Sequence, residues 1–184
     1  MSEWLSLMKM DTITLIPEDC NPEEVQNLAD VGWFAILVAG KLYKDYEDSL
    51  KETGDFRTNI EADIRNAYFE NGLEDRLEWD FAVRLTWLCY QAKVVKPKRK
   101  TLPSVEGQKC WCGEDAEVLD HLWPLSHGGP AHPSNSKEGR QTDHSWNFMA
   151  TCKFHNGQKS ATPMLIYRPG FLADLREYVF RVTW

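Results

Sequence analysis

The chain has 184 residues, of which 42% are apolar and 27% charged, a globular composition rather than a disordered or fibrous one. Its net charge of −7 argues against a protein that coats nucleic acid generally, but leaves room for a local basic site. The longest strongly apolar stretch, residues 31–40, lies between Asp30 and Lys41 and is about half the roughly 20 residues a bilayer crossing needs, so no membrane span is expected.

The opening residues, MSEWLSLMKMD, carry no basic segment ahead of an apolar one. No secretory signal is expected, and the location expected is cytoplasmic. Residues 12–16 alternate Thr, Ile, Thr, Leu and Ile and suit a short strand or an extended arm. Asn21-Pro22 followed by Glu23 and Glu24 is a helix start, with the acids at the positive end of the dipole. Leu42, Tyr43, Tyr46 and Leu50 continue at helical spacing to a stop at Gly54. A second helix is expected from Asp55 to Asn71, with Ile60, Ile64, Ala67 and Tyr68 on one face. A third covers residues 74–94, where Leu77, Phe81, Leu85, Leu88 and Ala92 recur every three or four residues.

Charge then changes sign. Residues 1–90 hold 8 Lys+Arg against 19 Asp+Glu, and residues 91–184 hold 13 against 9. Five of the eight residues from 93 to 100 are basic, which reads as a solvated linker or as an arm that contacts phosphates through Lys98, Arg99 and Lys100. The acidic helical part suits self-association or a protein partner better than a duplex, so a homodimer or a protein complex is the expectation there. The last segment, from Phe171, carries Leu172, Leu175, Tyr178 and Val179 at helical spacing and is expected to pack back on the body.

All five histidines and three of the five cysteines fall in the last 75 residues. An odd, sparse cysteine count is no disulfide framework, and Cys mixed with His points to metal ligation. Cys20 and Cys89 stand apart as packing residues. Cys110 and Cys112 form one close pair, and Cys152 and His155 another about forty residues later. Two such pairs can tie distant segments to one tetrahedral Zn²⁺. A small hairpin and short helix bury little apolar surface alone, so a closed zinc site would supply stability.

Between the pairs, residues 117–122 suit a strand that delivers Asp120 and His121 side by side. Adjacent strand residues face opposite ways, so a bend at the strand end is needed for both to serve one site. Gly128-Gly129-Pro130 closes a turn. Asn147 opens a return strand, and Cys152 leads into a short helix with Asn156 and Lys159 on one face. Asn135 is the alternative to Asn147, which fits the distance to Cys152 better. Residues 131–145 form a polar insert read as loop. His127, His132 and His144 are read as solvated loop histidines, with His127 nearest a substrate, and Lys137 and Arg140 as further phosphate contacts or solvated residues. Trp123 and Trp146 flank the motif as walls of the small module.

The order Cys-x-Cys-Gly, Asp-His-x-x-Pro-x-x-x-Gly-Gly, then Asn-x-x-x-x-Cys-x-x-His-Asn-x-x-Lys resembles the HNH endonucleases over about residues 108–165. That family has a ββα-metal fold, a hairpin crossed by a helix around one divalent ion. The resemblance implies His121 as general base and Asp120 with Asn156 as ligands of one catalytic Mg²⁺ or Mn²⁺. It implies Asn147 as the residue that orients the base and Lys159 as a phosphate contact. It matches Cys110, Cys112, Cys152 and His155 to the structural Zn²⁺ of the zinc-binding version. His155 is preferred for zinc because it completes Cys-x-x-His, while Asn156 keeps the spacing to Lys159. The implied activity is hydrolysis of DNA leaving 5′-phosphate and 3′-hydroxyl ends, with RNA as the variant substrate. The expected architecture is α+β in three parts: an acidic helical region (1–95), a basic linker (96–104) and a nuclease module with its C-terminal helix (105–184). The rival expectation is a catalytically silent, zinc-held module that binds nucleic acid or protein.

Overall fold

The structure, a computed structural model, describes residues 22–53, 60–72, 79–137, 140–161 and 170–183. The expectations for residues 12–16, Cys20, Gly54, Asp55 and Leu77 lie outside them, as do those for the side chains of Tyr46, Leu50, Asn135, Lys137 and Arg140. The architecture is α+β, a mainly helical body with two small antiparallel sheets.

Helix α1 (Pro22–Thr53) is continuous through the apolar stretch. Val31, Phe34, Ala35, Val38, Ala39 and Leu42 are buried, at the three- and four-residue steps that make one stripe of a helix. Helix α2 (Ile60–Glu70) buries Ile60, Ile64 and Tyr68 by the same rule. Helix α3 (Trp79–Val94) is the central post. Its buried residues include Phe81, Val83, Leu85, Leu88, Cys89 and Tyr90, which together leave little of its circumference to water. The buried Thr86 of α3 is satisfied by a 2.7 Å contact with the Tyr68 hydroxyl and a 2.8 Å bond to the Ala82 carbonyl.

Strand β1 (Val118–His121) pairs antiparallel with β4 (Phe148–Thr151), in a register that sets Asp120 opposite Met149 and His121 opposite Phe148. Helix α4 (Lys153–Lys159) follows β4 at once. The insert differs from the loop expected. It forms a hairpin of β2 (Ser134–Lys137) and β3 (Arg140–Asp143). Its strands read Ser-Asn-Ser-Lys and Arg-Gln-Thr-Asp, with no apolar alternation to announce them.

Helix α5 (Phe171–Val182) docks back through Phe171, Leu175, Tyr178 and Val179. A single apolar cluster runs from α1 and α3 through Leu122, Trp123 and Trp146 to α5, so the helical and motif-bearing segments share one core. Trp123 is fully buried and lies where Gly32 lacks a side chain; a Cβ there would stand 3.1 Å from Trp123 Cζ3.

Candidate metal cluster and candidate active site

Two neighbouring sites emerge from the β1, β4 and α4 unit. The first is the cysteine cluster. A tight loop turns between Lys109 and Asp115, with the Cys110 N–H bonded to the Glu114 carbonyl (2.8 Å) and the Gly113 N–H to the Cys110 carbonyl (2.8 Å). Gly113 has φ 92°, a left-handed conformation that a side chain would strain. This turn brings both sulfurs of the Cys-x-Cys pair round to the start of α4. Cys152 Sγ lies 4.0 Å from Cys112 Sγ and 3.2 Å from His155 Nδ1, and Cys110 Sγ lies 3.6 Å from the same nitrogen.

All four ligand atoms fall within 4.8 Å of one another. Zinc–ligand bonds of about 2.0–2.3 Å in a tetrahedron require separations of this size, so the Cys3His set could hold one zinc ion. Burial pushes the Cys110 thiol up, but N–H groups of Cys112 and Cys152 and its polar neighbours outweigh this and bring it down to about 6. A thiol so lowered is largely thiolate at neutral pH, the form that binds metal. Trp111 lies against the His155 ring, 3.9 Å between centroids, and screens the cluster.

The second site is a cleft of about 960 Å³. Asp120, His121, Asn156, Lys159 and His127 all line it, so the strand end, the turn and the α4 face converge as expected. Successive helix residues point about 100° apart, which lets His155 face the sulfurs while Asn156 faces the cleft.

Asp120 Oδ1 accepts the backbone N–H of His121 at 2.8 Å, and Oδ2 lies 3.0 Å from Lys159 Nζ. That Oδ2 is buried and receives no well-directed hydrogen bond; the ammonium contact is an ion pair rather than an aligned bond. Lys159 is only 4% exposed along its side chain, an environment a lysine tolerates when paired.

His121 Nε2 is also buried without a partner. The ring packs against Phe148, 4.6 Å between centroids. Burial lowers the His121 pKa, Lys159 and Arg99 add to the lowering, and Asp120 and Pro130 oppose it. The balance favours the uncharged ring.

His127 repeats the pattern. Its Nε2 lies 3.1 Å from the Ala161 carbonyl, its Nδ1 is buried and unpartnered, and burial with Lys93 and Lys159 pushes its pKa down to about 4. It is part-buried rather than a solvated loop histidine. His144 is the clearer departure: it is buried edge-on against Tyr178, ring centroids 5.4 Å apart, because the turn after the insert packs on α5.

Asn147 does not line the cleft. It is fully buried and clamps Trp123 at both backbone groups: Asn147 Oδ1 accepts the Trp123 N–H at 2.6 Å, and Nδ2 donates to the Trp123 carbonyl at 2.9 Å. The Asn147 carbonyl accepts the Leu122 N–H at 2.7 Å. Three bonds therefore fix the chain just after His121. Gly129 closes over this clamp so tightly that a Cβ would meet the Trp123 carbonyl oxygen at 2.2 Å.

Arg99 and Lys100 line the cleft, whereas Lys98 lines a neighbouring groove. Lys93 and Lys96 join the cleft wall as well. The basic run made them visible, but only the exit angle of α3 aims them at the site. Asp120 is the one acidic residue among the described lining residues. No described acidic residue of residues 1–90 lines the cleft. Among the described residues no helix is long and apolar enough to cross a membrane.

Comparison of the chain with protein-family models, with curated proteins and with solved structures returned no match.

Proposed function

We propose that the cleft hydrolyses phosphodiester bonds of DNA as an HNH-type endonuclease, with the cysteine cluster carrying a structural zinc ion. The observation that carries this reading is the Nε2 of His121, buried, unpartnered and set in a cleft lined by Lys93, Lys96, Arg99, Lys100 and Lys159. A base held in that state can take a proton from an attacking water. Lys93, Lys96, Arg99 and Lys100 supply positive charge for the phosphates on either side of the scissile bond.

Asp120 and Asn156 fit a hard divalent ion. Asp120 Oδ2, ion-paired with Lys159 but without an aligned hydrogen bond, and a carboxamide oxygen are the donor types that Mg²⁺ or Mn²⁺ prefers. Such an ion, when bound, supplies the charge that stabilises the pentavalent phosphorus and the leaving alkoxide. Asn147 acts at one remove, by holding Trp123 and so the orientation of His121. Lys159 balances Asp120 in its absence and can turn its ammonium to a phosphate oxygen. The strand, strand and helix order of β1, β4 and α4 supports the same family reading.

The test is nicking of supercoiled plasmid with Mg²⁺ or Mn²⁺ by the wild-type chain and by His121→Ala. Cleavage at the wild-type rate by His121→Ala would remove the assigned base. A second reading has one observation in its favour. The Asp120 to Lys159 ion pair already neutralises the carboxylate, as a silent zinc-held binding module would require. One zinc per chain, with no cleavage of matched DNA or RNA under any divalent ion, selects that reading.

A further inference from the structure

Residues 95–100 leave α3 without regular structure and separate two depressions. Ala92, Pro97, Lys100, Leu125 and Ala131 line both, so they form a common wall. The second depression is a groove of about 570 Å³. Its floor is apolar, from Leu88, Leu125 and Tyr178, and its rim carries Lys98, Lys100 and Arg181.

No acidic residue is among the described residues lining this groove. Arg181 Nη1 lies 3.8 Å from Glu177 Oε1, and Glu177 is 77% exposed, so water screens that pair strongly. The other guanidinium nitrogen lies 3.5 Å from His144 Nδ1, which steadies the side chain over the groove. In a chain of net charge −7, a cationic groove sharing a wall with a cationic cleft is a segregated charge pattern. Electrostatics of this kind fit a polyanion that crosses the wall.

We infer that the second groove binds the sugar-phosphate backbone flanking the scissile bond, with Lys98 and Arg181 each contacting a phosphate. The inference rests on the nuclease reading and narrows its substrate to a nucleic-acid strand that extends well past the cut, rather than a mononucleotide or a short end. Arg181 comes from α5, outside the segment that resembles the nucleases. It therefore gives the C-terminal helix a role in substrate binding beyond its packing.

The experiment uses the full zinc-loaded chain carrying His121→Ala, so that binding is read without cleavage. Its affinity for a labelled DNA duplex of about 30 base pairs is measured by anisotropy across a salt series, with and without Lys98→Gln and Arg181→Gln together. Each lost phosphate contact lowers the slope of log K against log salt by about 0.9, so the pair is expected to lower it by about 1.8. Both side chains are exposed, and an unchanged zinc content and thermal midpoint verify the fold. An unchanged slope overturns the inference, as does a chain that does not bind the duplex at all. The nuclease reading fails separately. If the slope falls as expected but the wild-type chain cuts nothing, the groove stands as a nucleic-acid site and the hydrolytic assignment is withdrawn.

Discussion

Replacing Asn147 by alanine tests the least replaceable part of the site. The side chain is fully buried and makes two short hydrogen bonds to one residue, 2.6 Å from the Trp123 N–H and 2.9 Å to its carbonyl. Alanine removes both partners and leaves a donor and an acceptor in a dry environment. An abandoned buried group costs about 1–3 kcal/mol, so the two together cost about 3 kcal/mol after partial relaxation. For a domain of this size, each kcal/mol moves the thermal midpoint by about 2–4 °C, which puts the fall at about 6–12 °C. The damage should also reach His121, because the clamp begins two residues after it. Urea unfolding of the zinc-loaded chain reads the stability, and single-turnover cleavage reads the base. Asn147→Asp separates the two bonds: it keeps the acceptor for the Trp123 N–H but sets a second oxygen against the Trp123 carbonyl, and should be no better than alanine. A loss below about 1 kcal/mol for Asn147→Ala would show that the clamp is not what holds this turn.

Three further outcomes follow from the same geometry. Cys152→Ser takes a sulfur that lies 3.2 Å from His155 Nδ1, and metal analysis should show zinc lost along with order in residues 109–159; full zinc retention would contradict the four-ligand cluster. Gly129→Ala sets a Cβ 2.2 Å from a backbone oxygen and should destabilise by about 1–3 kcal/mol or more, a change that denaturant midpoints resolve. Both His121 and His127 have folded pKa values below the unfolded value of about 6.5, so as pH falls the unfolded chain binds protons first. Stability should therefore be full above about 6.5 and decline as pH falls, with the His127 contribution exhausted below about 4. Likewise the acid limb of the cleavage rate should lie below about 6.5, and a limb well above it would mean that burial does not govern His121.

Short-range pattern made much of this protein legible. Ligand spacing alone located the Cys110, Cys112, Cys152 and His155 cluster, because two close pairs need only one turn and one helix start to meet. The helical stripes of α1, α2 and α3 followed from apolar periodicity, which acts within a few turns. Asp120, His121, Asn156 and Lys159 were singled out by the resemblance to the HNH motif, and they line one cleft because each lies on a short element whose direction is set locally. The polar insert was misread because its strands carry no alternation, and pairing along the hairpin has no amphipathic signature.

What tertiary structure decided was direction and company. Nothing near His121 in the chain reveals that its Nε2 is buried without a partner; the segments that pack round the cleft decide it. Nothing near Asn147 shows that its amide grips Trp123, since 24 residues separate them and only the pairing of β1 with β4 joins them. The basic run after α3 became a cleft wall only because α3 stands at the centre of the shared core and sends its end past the site. Residue types and local periods are encoded one segment at a time, whereas a lone pair's surroundings depend on every segment that packs around it.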